Sequence, residues 1–193
     1  KGVEAMLDVA IVRKSDFNWN VSFNIATVKN EVLELAKDAQ GNDIMITSGQ
    51  RRTAVGQPIY AWYTRGWAGV NPDNGLPQWY LNGTNDEGGV TSNYYASDIQ
   101  LAFQGGSALP TRTGGFGTHF DFKGIFLDAN FFFAGGHKVF EDWSFYTHHT
   151  GVYTLLYYNG VNDLMNRWQK PGDETDVPKV VYSGTASNAS RPS

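Results

Sequence analysis

Apolar and polar residues take turns along much of this chain. Between residues 17 and 26, Phe17, Trp19, Val21, Phe23 and Ile25 alternate with Asn18, Asn20, Ser22 and Asn24. A period of two predicts a β-strand with one oily face and one wet face. Residues 3 to 12 alternate more loosely, with Val3, Ala5, Leu7, Val9 and Ile11 on one side and Glu4 and Asp8 on the other. Lys14, Ser15 and Asp16 form a short polar break between the two runs, which predicts an antiparallel hairpin. A second hairpin is predicted further on. Phe116, Thr118, Phe120 and Phe122 oppose His119, Asp121 and Lys123, Lys123-Gly124 makes the turn, and Leu127, Ala129, Phe131 and Phe133 oppose Asp128 and Asn130.

Between the hairpins the signal changes. Residues 31 to 38 fit a short helix or a ragged strand extension, because periodicity does not arbitrate over so few positions. From about residue 40 to 115 runs a connection rich in Gly, Asn and aromatic residues. It has turn signals at "NPDNG" (71 to 75) and "NGTNDEGG" (82 to 89) and short alternating runs near 59 to 67 and 99 to 103. So long a connection inside a compact domain implies a function. After Gly135, the residues Val152, Leu155, Leu156, Val161, Leu164, Met165 and Trp168 approximate helical spacing despite Gly151 and Gly160, and "KPGDETDVP" (170 to 178) stops any such helix.

The oily strand faces could meet a protein core, a ligand or lipid. A membrane-spanning strand needs about 9–11 tilted residues. Residues 17 to 26, at about 3.3 Å each and near 45°, cover roughly 23 Å, close to the ~25 Å apolar band of an outer-membrane barrel. A long strand of a soluble β-sandwich has the same length. The wet face carries small amides and isolated charges rather than Lys, Glu and Thr, which suits a crowded, hydrated barrel interior. Very short turns alternate with very long loops, and aromatics gather near strand ends, as in such barrels.

Composition narrows the classes. Charged residues are 18% of the 193 and aromatics 15%, against roughly 25% charged in ordinary soluble domains. Lys+Arg 15 against Asp+Glu 19 gives a net charge of -4, with no basic surplus for nucleic acid. Cysteine is absent, which removes disulfides, thiolate metal sites and cysteine nucleophiles. No apolar run of about 18 residues exists for a transmembrane helix. The chain starts without methionine and inside a strand pattern, which suggests processing or a piece of something longer.

The loops carry a more specific signal. "VGQPIYAWYTRGWAGVNPDNGLPQWY" (55 to 80), "GSALPTRTGGF" (106 to 116), "FFFAGGHKVF" (131 to 140) and "NRWQKPGDETDVPK" (166 to 179) occur in that order over about 120 residues. This series resembles the C-terminal barrel region of the SusC/RagA-like TonB-dependent outer-membrane transporters. The resemblance implies an all-β fold: antiparallel strands of a barrel of about 22 strands, with long extracellular loops and a lumen filled by a plug. It also implies import of oligosaccharides or peptides across the outer membrane of a Gram-negative bacterium, with a SusD-like surface lipoprotein as lid, TonB as energy source and no cofactor. The plug and TonB box of that family are not in the sequence, and the polar end at Ser193 lacks an aromatic-terminated final strand. Residues 1–193 are therefore expected to be an internal part of the barrel domain, completed by other strands, since unpaired strand edges in hydrocarbon cost several kcal/mol per group.

Candidate sites are few. His148-His149 suggests a metal, but His119 and His137 lie far away in sequence, and solvated loop histidines are the simpler expectation. Asp173, Glu174 and Asp176 could supply oxygens to calcium; within the shared motif, Asp173 is expected to cap backbone amides instead. No Gly-x-Ser-x-Gly elbow occurs, no pair of facing carboxylates is identifiable, and no enzyme is expected. The loop aromatics are the better candidates, because flat rings with a polar handle suit sugar faces and peptide backbones. Trp67 and Trp79 lie inside the shared motif and are expected to build scaffold, although Trp79 is retained as a candidate substrate contact. Tyr94 and Tyr95, outside the motif, are the stronger candidates. The rival to a transporter is a secreted carbohydrate-binding β-sandwich, which would bury the oily faces in its own core.

Overall fold

The computed structural model describes residues 1–151, 154 and 156–181. In chain order the strands are β1 (Gly2–Arg13), β2 (Phe17–Val28), β3 (Ile46–Ser48), β4 (Arg51–Thr53), β5 (Ala61–Thr64), β6 (Trp67–Val70), β7 (Pro77–Tyr80), β8 (Val90–Thr91), β9 (Ala102–Ser107), β10 (Arg112–Phe122) and β11 (Ile125–Gly135). Among the described residues, helix occurs at Ser144–Thr147, at Thr154 and Leu156, and as 3-10 turns at Asp86–Gly88 and Asn162–Asn166. The fold is all-β and its named strand pairs are antiparallel. The chain divides into two compact units, Lys1–Ala61 with Gly106–Lys138 and Trp62–Gly105 with Val139–Ser193.

The first unit is built on a four-stranded sheet in the order β1-β2-β10-β11. Both predicted hairpins form, and β2 joins them by pairing with β10 over its length. Lys123 and Gly124 take φ of 50° and 84°, the left-handed pair that a two-residue turn between twisted strands requires. The register carries the period of two across the whole sheet. Leu7, Phe23, Phe116 and Phe131 form one cross-strand row; Val9, Val21, Thr118 and Ala129 form the next. One expectation shifts: a bulge between Ala10 and Val12 takes Ile11 out of register, and Val12 stands opposite Trp19 in its place.

The oily side chains of this sheet are not covered. Leu7 is 59% exposed, Phe131 63%, Ile125 77%, and even Phe23 on a central strand 39%. The buried hydrophobic residues among those described are Ala54, Ala61, Trp79 and Val177. A sandwich of this size would seal its phenylalanines inside; here they point outward.

Residues 31 to 38 form neither helix nor strand extension. Their backbone is engaged elsewhere: Val32 N–H donates to the Gln57 carbonyl, Gly56 N–H donates to Val32, and Asn30 Oδ1 accepts from Ile59 N–H at 2.8 Å. Asp38 then closes a turn, accepting from the amides of Gln40 (2.9 Å) and Asn42 (2.8 Å). The Asn42 amide, above all, holds its carboxyl below the ordinary value.

In the second unit, β6, β7 and β8 make a small sheet, and β5 neighbours β9. Gln104 ties the β9 region down by donating its side-chain amide to the Thr64 (3.0 Å) and Gly83 (2.9 Å) carbonyls. Of the helical spacing expected after Gly135, Leu156 is helical and Leu164 and Met165 lie in the 3-10 turn Asn162–Asn166, with Leu156 and Met165 exposed; Val152 and Leu155 lie outside the described residues.

Candidate functional site

The two faces of the four-stranded sheet differ in chemistry. On the side opposite Phe23, Phe116 and Phe131, Asp8, Ser22, Gly117 and Asn130 form one row and Ala10, Asn20, His119 and Asp128 the next, with Phe126 and Phe132 of the edge strand β11 on this same side. With Arg13 these residues line a shallow concavity. His119 Nδ1 lies 2.6 Å from Asp128 Oδ1, a pair that bridges β10 and β11. The glycines let this polar layer lie flat: a Cβ on Gly117 would stand 2.5 Å from Ser22 Oγ and 2.8 Å from Asn130 Oδ1. Such a face offers water donors, acceptors and balanced charge.

The opposite face presents hydrocarbon, and its few polar atoms are paired. Trp19 donates its indole N–H to Thr118 Oγ1 at 3.0 Å. Near the short turns the rings of Phe17, Trp19, Phe120 and Phe122 gather, with Trp19 stacked on Phe120 at 5.3 Å and Phe17 6.4 Å from both phenylalanines. Gly114, whose register partner is Phe133, leaves room for that ring to fold over it.

The loop aromatics form a graded chain within the second unit. Trp67 meets Trp79 edge to face at 5.7 Å, Trp79 meets Tyr94 at 5.2 Å, and Tyr94 meets Tyr95 at 5.3 Å. Exposure rises from Trp79 outward: Trp79 is 3% exposed, Tyr94 half-buried and Tyr95 70% exposed. The structure thus brings the three candidates together but gives them different parts. Trp79 is sealed under the others, so its ring supports Tyr94, while Tyr95 stands in the open on an Asx turn in which Asn93 Oδ1 accepts the Tyr95 amide at 3.1 Å. Arg65 was not legible as a participant. Its guanidinium lies 4.2 Å from the Tyr94 ring centre and fixes that ring from a second side.

Two distant motifs meet in the same unit. Trp168 donates its indole N–H to the Pro72 carbonyl at 2.8 Å, Gly172 N–H donates to Pro72, and Lys179 N–H donates to Gly75. Gly75 has φ 71°, and a Cβ there would meet the Trp168 ring at 2.5 Å. As expected, Asp173 caps: its Oδ2 accepts from Gln169 N–H (2.9 Å) and Lys170 N–H (3.0 Å), which hold the carboxyl below its usual value.

The histidines depart from expectation. His149 is fully buried rather than solvated, with Nδ1 accepting from Gly151 N–H at 2.8 Å. Among the described residues no three His, Asp or Glu side chains group closely enough to hold a metal ion. No described helix is long and apolar enough to cross a membrane, which leaves strands unaddressed.

No family model matches the chain. It is 23% identical over 219 residues to TonB-dependent receptor P39 of Formosa agariphila, an alignment covering 95% of this chain and 21% of the receptor. Among solved structures, it is similar to the RagAB peptide transporter at 28% identity and TM-score 0.76, covering 96% of this chain and 20% of that one. The RagAB peptide importer in its open-open state gives 28% identity and TM-score 0.78, covering 95% and 19%. The chain thus spans about a fifth of the length of these relatives. With its four ordered motifs and its antiparallel all-β fold, the chain resembles the SusC/RagA-like TonB-dependent outer-membrane transporters, and both comparisons agree on that resemblance.

Proposed function

We propose that these residues form an arc of the wall of a barrel of about 22 strands, in a protein that imports oligosaccharides or peptides across the outer membrane. The oily face of β1, β2, β10 and β11 lies against acyl chains and the amide-rich face toward the lumen. Tyr94 and Tyr95 contact cargo, Trp79 and Arg65 hold them in place, a SusD-like lipoprotein closes the mouth, and TonB supplies energy. One observation carries this reading: strands of 11 and 12 residues leave phenylalanines and aliphatic side chains of one face substantially exposed, with Leu7, Leu127 and Phe131 each more than half exposed. The same exposure weighs against a secreted carbohydrate-binding sandwich.

The test is uptake by the full-length protein in its own outer membrane. Cells relying on it for a peptide or an oligosaccharide should lose growth on that nutrient when it is deleted. A Tyr95→Ala variant should reach normal abundance and raise the half-saturating nutrient concentration several-fold. Residues 1–193 expressed alone as a monodisperse, detergent-free, cooperatively unfolding monomer would favour the sandwich and contradict the transporter.

A further inference from the structure

The short-turn end of the four-stranded sheet differs from its other end. Lys123 N–H donates to the Asp16 carbonyl at 3.1 Å, so the two hairpin turns sit side by side and act as one patch. Directly inward lies the ring cluster of Phe17, Trp19, Phe120 and Phe122. At the far end the equivalent row is Val3, Thr27, Arg112 and Gly135, with no ring. Aromatic rings with a polar edge favour the boundary between hydrocarbon and headgroups.

Two cations stand at this boundary, Lys14 in the first turn and Lys123 in the second. Neither has an ion-pair partner among the described residues, and Asp16 is the single carboxylate in the turns. Lys123 holds φ 50°, a position where Asn or Gly is the ordinary choice. Its ammonium lies 5.3 Å from the Phe122 ring centre, at the level where the oily face ends. An unpaired ammonium at that depth complements a phosphate.

On the reading that this sheet faces lipid, we propose that Lys14 and Lys123, above the aromatic cluster, bind the headgroup of an anionic phospholipid in the adjoining leaflet. The acyl chains lie along Phe120, Phe122 and Ile125, and the phosphate bridges the two turns. The site has a lipid's own division: an exposed apolar surface, a ring at the boundary, then charge.

The test uses the full-length protein, delipidated in a neutral detergent and titrated with photoactivatable phosphatidylglycerol or phosphatidylcholine of the same chain length. Cross-links are mapped by peptide mass spectrometry. Phosphatidylglycerol should label the segments around residues 14 to 19 and 120 to 126 in preference to phosphatidylcholine. Each basic residue near an anionic surface contributes about fivefold in affinity, so Lys14→Gln with Lys123→Asn should raise the half-saturating phosphatidylglycerol concentration roughly twenty-five-fold. Asparagine tolerates the left-handed turn, so the fold survives. Phosphatidylcholine labelling should stay unchanged. Equal labelling by both lipids in the wild type, or no change in the double variant, overturns the headgroup site while leaving the lipid-facing sheet intact. Absence of labelling by either lipid overturns both.

Discussion

The indole N–H of Trp19 reaches across from β2 to Thr118 Oγ1 on β10, 3.0 Å away, on the hydrocarbon side of the sheet. In acyl chains neither group would find water, so each supplies the other's partner. Trp19 also stacks on Phe120 at 5.3 Å. Thr118→Val keeps shape and orphans the indole donor, which should lower barrel stability by about 1 kcal/mol. Adding Trp19→Phe removes the orphan and should make the double variant lose less than the two single losses added together. Denaturant unfolding of the full-length protein in detergent measures both; strict additivity would show that the hydrogen bond contributes nothing.

Glycines in β10 give a graded prediction. A Cβ on Gly114 would stand 2.5 Å from the Asn24 carbonyl oxygen, which belongs to the backbone, whereas on Gly117 the obstacles are the rotatable ends of Ser22 and Asn130. Overpacking costs about 1–3 kcal/mol. Gly114→Ala should fall at the upper end and Gly117→Ala at the lower, with Ser22→Ala relieving the second and not the first. Equal losses at both positions would contradict the register.

Much of this sheet was legible beforehand because alternation survives where nothing else competes with it. The rows through Phe23 and Phe116 follow from a period of two, and Lys123-Gly124 announces its own turn. The Ile11 bulge was not legible, since residues 9 to 12 are apolar without a break and either parity fits. His149 looked like a loop histidine because nothing in the residue pattern around it signals burial, although its ring nitrogen is held by the Gly151 amide nearby. The three ring candidates were named together, but their order from sealed Trp79 to open Tyr95, and the part of Arg65, depend on loop geometry that no local pattern encodes.

The junction of Gly75 and Trp168 predicts coupling between motifs 93 positions apart in number. Gly75→Ala combines an unfavourable φ with a clash against the indole, and Trp168→Ala removes both the clash and the hydrogen bond to Pro72. The single changes should each destabilise, and the double variant should lose less than their sum by 1 kcal/mol or more, as is typical of residues in contact. Thermal unfolding of the four proteins supplies the cycle. Additive losses would mean the two loops do not dock.

Asp173 gives a pH dependence with a definite sign. Amides of Gln169 and Lys170 stabilise its ionised form, so the folded carboxyl titrates below 3.8. A lowered carboxylate pKa contributes stability that is present above 3.8 and is lost as pH falls through the folded value. Hydrogen exchange at the Gln169 and Lys170 amides, corrected for intrinsic rates, should therefore show protection at neutral pH that disappears in that acidic window. Asp173→Ala should lack it at every pH. Protection independent of pH in the wild type would deny the cap.

Which side of the sheet meets lipid is decided most directly by spin labels placed one at a time along β2 and β10 in the full-length protein, reconstituted in bilayers. Labels at positions 21, 23, 116 and 120 should collide readily with oxygen and rarely with a water-soluble nickel chelate. Labels at 20, 22, 117 and 119 should do the reverse, giving an accessibility ratio that alternates at every residue. A flat profile, or nickel access at positions 23 and 116, would contradict a lipid-facing wall.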